Sequence, residues 1–241
     1  MESALSKALA PLDNQKDTKV SPLPLRPCNY AIIGRKGTGK SSLILNLLER
    51  KESPWYKHFN LIFLISPTAS RDDKMNELVE DLGDQYYDDL TNEVLLEIMN
   101  RIDADTEERQ KKKKKGKPSY CIIYDDIIHQ IKSKNAKLVT LLATQNRHRN
   151  VTNVYLLQKW NSFPTLIRAN LDLVSFFRSD NKKELETFLE EQNSDEATLR
   201  KLYEFAVKEP YSFLHINNYY PTPVYYSRFT EIKYQPKPAS I

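Results

Sequence analysis

Residues 34 to 41 read Gly-Arg-Lys-Gly-Thr-Gly-Lys-Ser, set between the short apolar run Tyr30 to Ile33 and a segment with Leu43, Ile44, Leu47 and Leu48 at helical spacing. Strand, loop and helix succeed one another there, which is the setting the pattern G-x-x-x-x-G-K-[ST] requires. The glycines let the backbone curl so that successive N–H groups point inward, and the positive end of the following helix reinforces them. Phosphate groups are what such a cradle holds. Of the five glycines in the chain, Gly34, Gly37 and Gly39 fall inside this loop, so a glycine-poor sequence concentrates its backbone freedom here. The expected nucleoside-triphosphate site is Gly34, Arg35, Lys36, Gly37, Thr38, Gly39, Lys40, Ser41 and Ser42. In it Lys40 bridges the β- and γ-phosphates of ATP, and the Ser41 hydroxyl ligates Mg²⁺.

The rest of the chain continues the alternation. Leu61 to Ile65 reads as a buried strand stopped by Ser66 and Pro67, and Met75 to Leu82 and Val94 to Ile102 read as helical. Tyr120 to Tyr124 is a third strand, Val151 to Leu157 a fourth and Leu171 to Phe177 a fifth, with helical Lys134 to Ala143 between the third and fourth. Two helices come next, around Leu185, Phe188 and Leu189 and around Leu199, Leu202 and Phe205; Asn181 with Glu184 resembles a capping box. Tyr211 to Ile216 and Val224 to Arg228 pair as an edge hairpin. Strands that alternate with helices make an α/β protein with a largely parallel sheet. Residues 1–27, broken by Pro11, Pro22, Pro24 and Pro27, are an extended lead-in; residues 28–230 form one ATPase domain and 231–241 a tail.

Hydrolysis needs a carboxylate to hold Mg²⁺ and a group to orient the attacking water, supplied from the end of a neighbouring strand. Asp125 and Asp126 come directly after Tyr120 to Tyr124 and meet that description, Asp125 on the metal side and Asp126 as the water-polarising base. No N-K-x-D-like motif marks a GTPase, and no arginine-rich lid marks a small-molecule kinase; base preference is otherwise unreadable. His58, His129 and His215 stand at no metal-ligand spacing, which leaves Mg²⁺ as the implied metal. Cys28 and Cys121 fit no disulfide framework and read as packed thiols of a reducing compartment. The N-terminus shows no apolar signal core, and the longest apolar run, Leu61 to Ile65, is too short to cross a bilayer, so a chain that is neither secreted nor membrane-spanning is expected. The net charge of +4 is too mild to announce nucleic-acid binding by itself. The run Lys111 to Lys115 with Lys117, in a long connection before the third strand, is a candidate contact to DNA phosphates and equally a solvated loop.

Four pieces, in order, carry a closer resemblance: GRKGTGKSS, LIFLISPT, YCIIYDD, and RHRNVTNVYLLQ leading into FPTLIRANLDLVSFF. Between about Pro24 and Phe177 the sequence resembles the FtsK/HerA superfamily, in particular the genome-packaging ATPases of large DNA viruses, virophages and poxviruses. The resemblance implies a P-loop NTPase of the RecA-like (ASCE) type, a three-layer sandwich around a mostly parallel sheet. It implies a double-stranded DNA translocase that works as a homo-oligomeric ring, a pentamer or hexamer, with a capsid or portal protein as partner and no membrane. Host cytoplasm, a viral factory or the virion is its implied location. Gln158 matches the polar residue that senses the γ-phosphate in that family. Arg168, Arg147 and Arg149 are the candidates for an arginine that stabilises transition-state charge, often across a subunit boundary, with Arg168 first and Arg35 as a further one. The second acid is Asp126 where the wider superfamily commonly has glutamate. A related translocase or helicase, and a nucleotide-binding switch with negligible turnover, are the alternative readings.

Overall fold

The structure is a computed structural model that describes residues 21–131, 136–192 and 194–233. Its centre is strand β1 (Asn29–Ile33), whose five residues are all buried because both faces of the strand are covered. Tyr30 and Ile32 point to one side, where helix α1 (Lys40–Glu49) packs Leu43, Ile44, Leu47 and Leu48 against them; Ala31 and Ile33 point to the other. The first side also carries α2 (Asn76–Leu82). The second carries α3 (Asn92–Lys111), α5 (Ala136–Gln145), α6 (Thr165–Arg168), α7 (Lys182–Glu190) and α8 (Glu196–Ala206), with the short α4 (Ile128–Ile131) before α5. Helices on both faces of one sheet give the expected three layers.

The remaining strands are β2 (Leu61–Ile65), β3 (Tyr86–Tyr87), β4 (Tyr120–Asp125), β5 (Val151–Leu157), β6 (Leu173–Phe177), β7 (Phe213–Asn217), β8 (Val224–Ser227) and β9 (Thr230–Glu231). They form a nine-stranded sheet in the order β3-β2-β4-β5-β1-β6-β7-β8-β9. Pairing is parallel from β3 to β6 and antiparallel from β6 to β9. Ile33 stands level with Leu157 and Phe176, and Asp125 with Leu156. The carboxyl ends of β4, β5, β1 and β6 therefore finish side by side, and the loops that leave them meet at one edge.

Several elements differ from the sequence reading. Val94 to Ile102 falls toward the N-terminal end of the longer α3, which is capped by Thr91, whose side chain accepts from Val94 N. Lys111 ends this helix, so the connection before β4 begins at Lys112 rather than after Ile102, and the rest of the lysine run lies in that shorter connection. The stretch from Asp103 to Lys111 has loop-like polarity, yet Glu107–Lys111 and Glu108–Lys112 pair one turn apart and suit an exposed helix. Only half of the capping box forms. Asn181 accepts from Glu184 N, while the Glu184 carboxylate turns inward to accept from Trp160 N at 2.6 Å and Ser179 Oγ at 3.0 Å. The hairpin of β7 and β8 exists, but β7 pairs with β6, so the hairpin extends the main sheet. Lys134 lies outside the described residues, as do residues 1–20 and 234–241. Within 21–27, Leu23 is buried, and the carbonyl of Pro24 accepts from Trp55 Nε1 at 3.0 Å. No helix among the described residues is long and apolar enough to cross a membrane.

Candidate active site

The loop from Gly34 to Gly39 leaves β1 and re-enters the helical conformation at Lys40. Its entry is fixed by Gly34 N donating to Leu157 O at 3.0 Å, and its exit by Leu43 N donating to Gly39 O at 2.8 Å. Gly37 (φ 82°) and Gly39 (φ 103°) occupy the left-handed region, where a side chain costs free energy. Gly34 is required for a different reason: a Cβ there would lie 2.5 Å from Thr38 Oγ1 and 2.9 Å from Phe177 Cβ. All three loop glycines thus have a physical cause.

The loop walls a cleft of about 1380 Å³ that also receives Asp125, Asp126 and Gln158 from the ends of β4 and β5. Lys40 Nζ is folded back on its own loop, donating to Gly34 O at 2.7 Å and Arg35 O at 3.1 Å. Burial lowers the Lys40 pKa from its ordinary value, and the charges of Asp125 and Asp126 oppose that. Asp125 shifts the opposite way: burial raises its pKa, the hydrogen bond from Ser66 lowers it, and the nearby Asp126 charge raises it again. Ser66 Oγ donates to Asp125 Oδ2 at 3.0 Å, and Gln158 Nε2 donates to Asp126 Oδ1 at 2.9 Å. Each carboxylate is oriented by a neighbour. A hydroxyl (Ser41) and a carboxylate (Asp125) lining one cleft are the oxygen donors that a hard cation beside phosphate takes, so Mg²⁺ fits the residues present. No cluster of three or more His, Cys, Asp or Glu suited to a metal occurs among the described residues.

Other expected site residues lie elsewhere. Arg35 turns out of the cleft and pairs with Asp180 at 2.7 Å on the exposed surface, and Thr38 Oγ1 donates to Arg35 O inside the loop. None of Arg147, Arg149 and Arg168 lines the cleft of its own chain. Arg147 and Arg149 belong to the turn that enters β5 at its amino end, the whole strand, roughly 20 Å, from the end that bears Gln158. Arg147 pairs with Asp172 at 3.1 Å and lies over the Tyr219 ring; Arg149 grips Asp103 with contacts of 2.7 and 2.9 Å. Arg168 is the most enclosed, its side chain 11% exposed: Nε and Nη2 donate to Glu191, Nη1 donates to Phe163 O, and the guanidinium lies over Trp160. The segment IRAN by itself shows an arginine but not this partner, which lies 23 residues further on.

In the sequence Ser66 reads only as a strand stop, and the structure gives it the Asp125 carboxylate to hold. Tyr211 and Arg228 also line the cleft, and nothing in the sequence distinguishes them from hairpin residues.

A phosphate loop at the carboxyl ends of a parallel α/β sheet, with paired carboxylates on the next strands, defines a P-loop NTPase. Within that class the chain belongs to the family described as Poxvirus A32 protein, whose profile matches residues 16–204. Solved structures agree at the level of fold. The genome packaging NTPase B204 from Sulfolobus turreted icosahedral virus 2, in complex with ATP-gammaS, superposes with a TM-score of 0.56 at 20% identity, over 82% of this chain and 96% of that one. B204 described as the DNA-packaging ATPase from Sulfolobus Turreted Icosahedral Virus gives 0.56 at 20%, over 83% and 97%. EssC (ATPases 2 and 3) from Geobacillus thermodenitrificans gives 0.52 at 12%, over 79% and 38%. No curated protein matches the chain significantly.

Proposed function

We propose that this chain is an ATP-driven motor that translocates double-stranded DNA and packages a viral genome. The observation that carries the hydrolytic part is the pair of oriented carboxylates beside the phosphate loop, Asp125 held by Ser66 and Asp126 held by Gln158. A passive nucleotide site needs neither. Membership of the poxvirus family, together with the fold of a protein described as a DNA-packaging ATPase, supports the choice of DNA as the load.

ATP binds with its phosphates on Gly34 to Ser42, and the Lys40 ammonium leaves the carbonyls of Gly34 and Arg35 for the β- and γ-oxygens. Ser41 and Asp125 would hold Mg²⁺, which would supply charge that neutralises the phosphates. Asp126 orients the attacking water and accepts its proton. Gln158, already bonded to Asp126, couples that carboxylate's position to β5 and through it to the opposite edge of the sheet.

That opposite edge is basic. Lys57 precedes β2, the turn Lys113 to Lys117 precedes β4, and Arg147 and Arg149 precede β5. These connections are adjacent, since His58 Nε2 and Ser119 Oγ are 3.1 Å apart and Tyr120 N donates to Asn150 O at 3.0 Å. Cations that carry no base-reading geometry suit phosphate contacts along a duplex. The motor works as a homo-oligomeric ring, a pentamer or hexamer, in the host cytoplasm, a viral factory or the virion, and delivers DNA through a capsid or portal protein.

ATP hydrolysis measured with and without duplex DNA tests this reading. The wild type is expected to be stimulated by DNA, and Lys40→Ala and Asp126→Asn to lose on the order of a hundredfold or more in turnover. Wild-type turnover no higher than either variant's makes the chain a nucleotide-binding switch instead.

A further inference from the structure

Gly34 to Ser42 accounts for the phosphates of a bound nucleotide and leaves its base without a partner. Asp125 and Asp126 lie on the β4–β5 side of the loop. On the other side, the ends of β6 to β8 bring Phe177, Tyr211, Phe213, Arg228 and Phe229 to the same cleft.

The backbone marks this side as special. Six non-glycine residues among those described have positive φ, and three of them line the cleft: Asp126 at 53°, Tyr211 at 58° and Arg228 at 54°. An aromatic residue in that region is an outlier that persists only where its surroundings enforce it, and such outliers gather at ligand sites. The enforcement is visible. Ser212 N and Oγ both donate to Glu209 O, at 3.2 and 2.5 Å, and Arg228 Nη2 donates to Pro210 O at 3.2 Å. Beneath the turn, Phe213 packs on Phe177 and Phe229, with ring centroids 4.9 and 5.4 Å away. On this floor Tyr211 is 70% exposed, yet its ring reaches within 3.5 Å of where a Cβ on Gly39 would sit. A fixed aromatic face, open to solvent beside a phosphate cradle, has the form of a stacking platform.

We infer that Tyr211 stacks on the base of the bound nucleoside triphosphate and that Arg228 is a positioning residue that holds its turn. The inference rests on the reading of this cleft as the ATP site. Stacking reads the extent of a π-surface rather than a pattern of donors and acceptors, so the site favours purine over pyrimidine triphosphates and accepts both purines.

The test is calorimetric titration of the full chain with ATP, CTP and inorganic tripolyphosphate, each with Mg²⁺, for wild type, Tyr211→Ala, Tyr211→Phe and Arg228→Ala. Tyr211→Ala is expected to weaken ATP about tenfold, bring ATP and CTP close together, and leave tripolyphosphate within about twofold. Tyr211→Phe restores the preference, and Arg228→Ala loses part of it while still binding tripolyphosphate as the wild type does. An unchanged ATP-to-CTP ratio in Tyr211→Ala, or equal losses of ATP and tripolyphosphate, overturns the inference and leaves ATP binding at the loop intact. A wild type that binds none of the three overturns both.

Discussion

At the scale of single residues, burial shifts both Lys40 and Asp125 toward neutrality. Asp125 must be ionised to hold a cation, and its pKa is raised by burial, so activity is lost as pH falls through a value above the ordinary carboxylate 3.8. Lys40 must be charged to meet phosphate, and burial lowers its pKa, so the alkaline limb falls below the ordinary 10.5. The expected pH profile of kcat/KM for ATP is therefore a bell narrowed from both sides. Ser66→Ala removes a hydrogen bond that favours the charged form of Asp125. Its acid limb should move upward, while the alkaline limb stays in place. An unmoved acid limb would show that Asp125 is not the group that titrates there. The phosphate loop and the acidic pair were legible in the sequence because each is contiguous and its chemistry requires that spacing. Ser66 and Tyr211 were not, because their partners lie 59 residues away at Asp125 and 172 residues away at Gly39.

At the scale of elements, the three arginines show how far a local motif can be read. Arg168 sits on a single helical turn, and Glu191, at the C-terminal end of α7, fixes it with two charge-assisted bonds. Arg168→Ala should lower stability by about 2–3 kcal/mol in urea unfolding and leave ATP turnover per folded molecule near wild type. Arg168→Lys should recover little of the loss, since a point charge cannot reproduce the fork to Glu191. Full stability with abolished turnover would instead mean that Arg168 reaches the phosphate of a neighbouring subunit. The central strands were readable because parallel strands buried on both faces are short continuous apolar runs. The end of α3 was not, because from Asp103 to Lys111 polar side chains hide a helix held by packing further back and by ion pairs one turn apart. Glu184 escaped for the converse reason: a residue expected to cap its own helix serves the backbone of Trp160.

At the scale of the whole molecule, the proposed function assigns the two ends of the sheet different tasks. On the proposed reading, nucleotide chemistry belongs to the cleft at the carboxyl ends of β4, β5, β1 and β6, and DNA contact to the lysine turn and the Arg147–Arg149 turn at the amino edge. Replacing Lys113, Lys114, Lys115 and Lys117 with serine should weaken duplex binding and reduce the slope of log affinity against log salt by up to about 0.9 for each phosphate contact removed. ATP hydrolysis without DNA should be unaffected. An unchanged slope would make the turn an ordinary solvated one. The central claim, that hydrolysis at one edge moves duplex DNA held at the other, is tested most directly by displacement of a triplex-forming oligonucleotide from a linear duplex. The wild type should strip the third strand in the presence of ATP and fail to do so with a non-hydrolysable analogue, and Lys40→Ala should strip none. Steady ATP hydrolysis on saturating duplex with the third strand left in place would contradict the account.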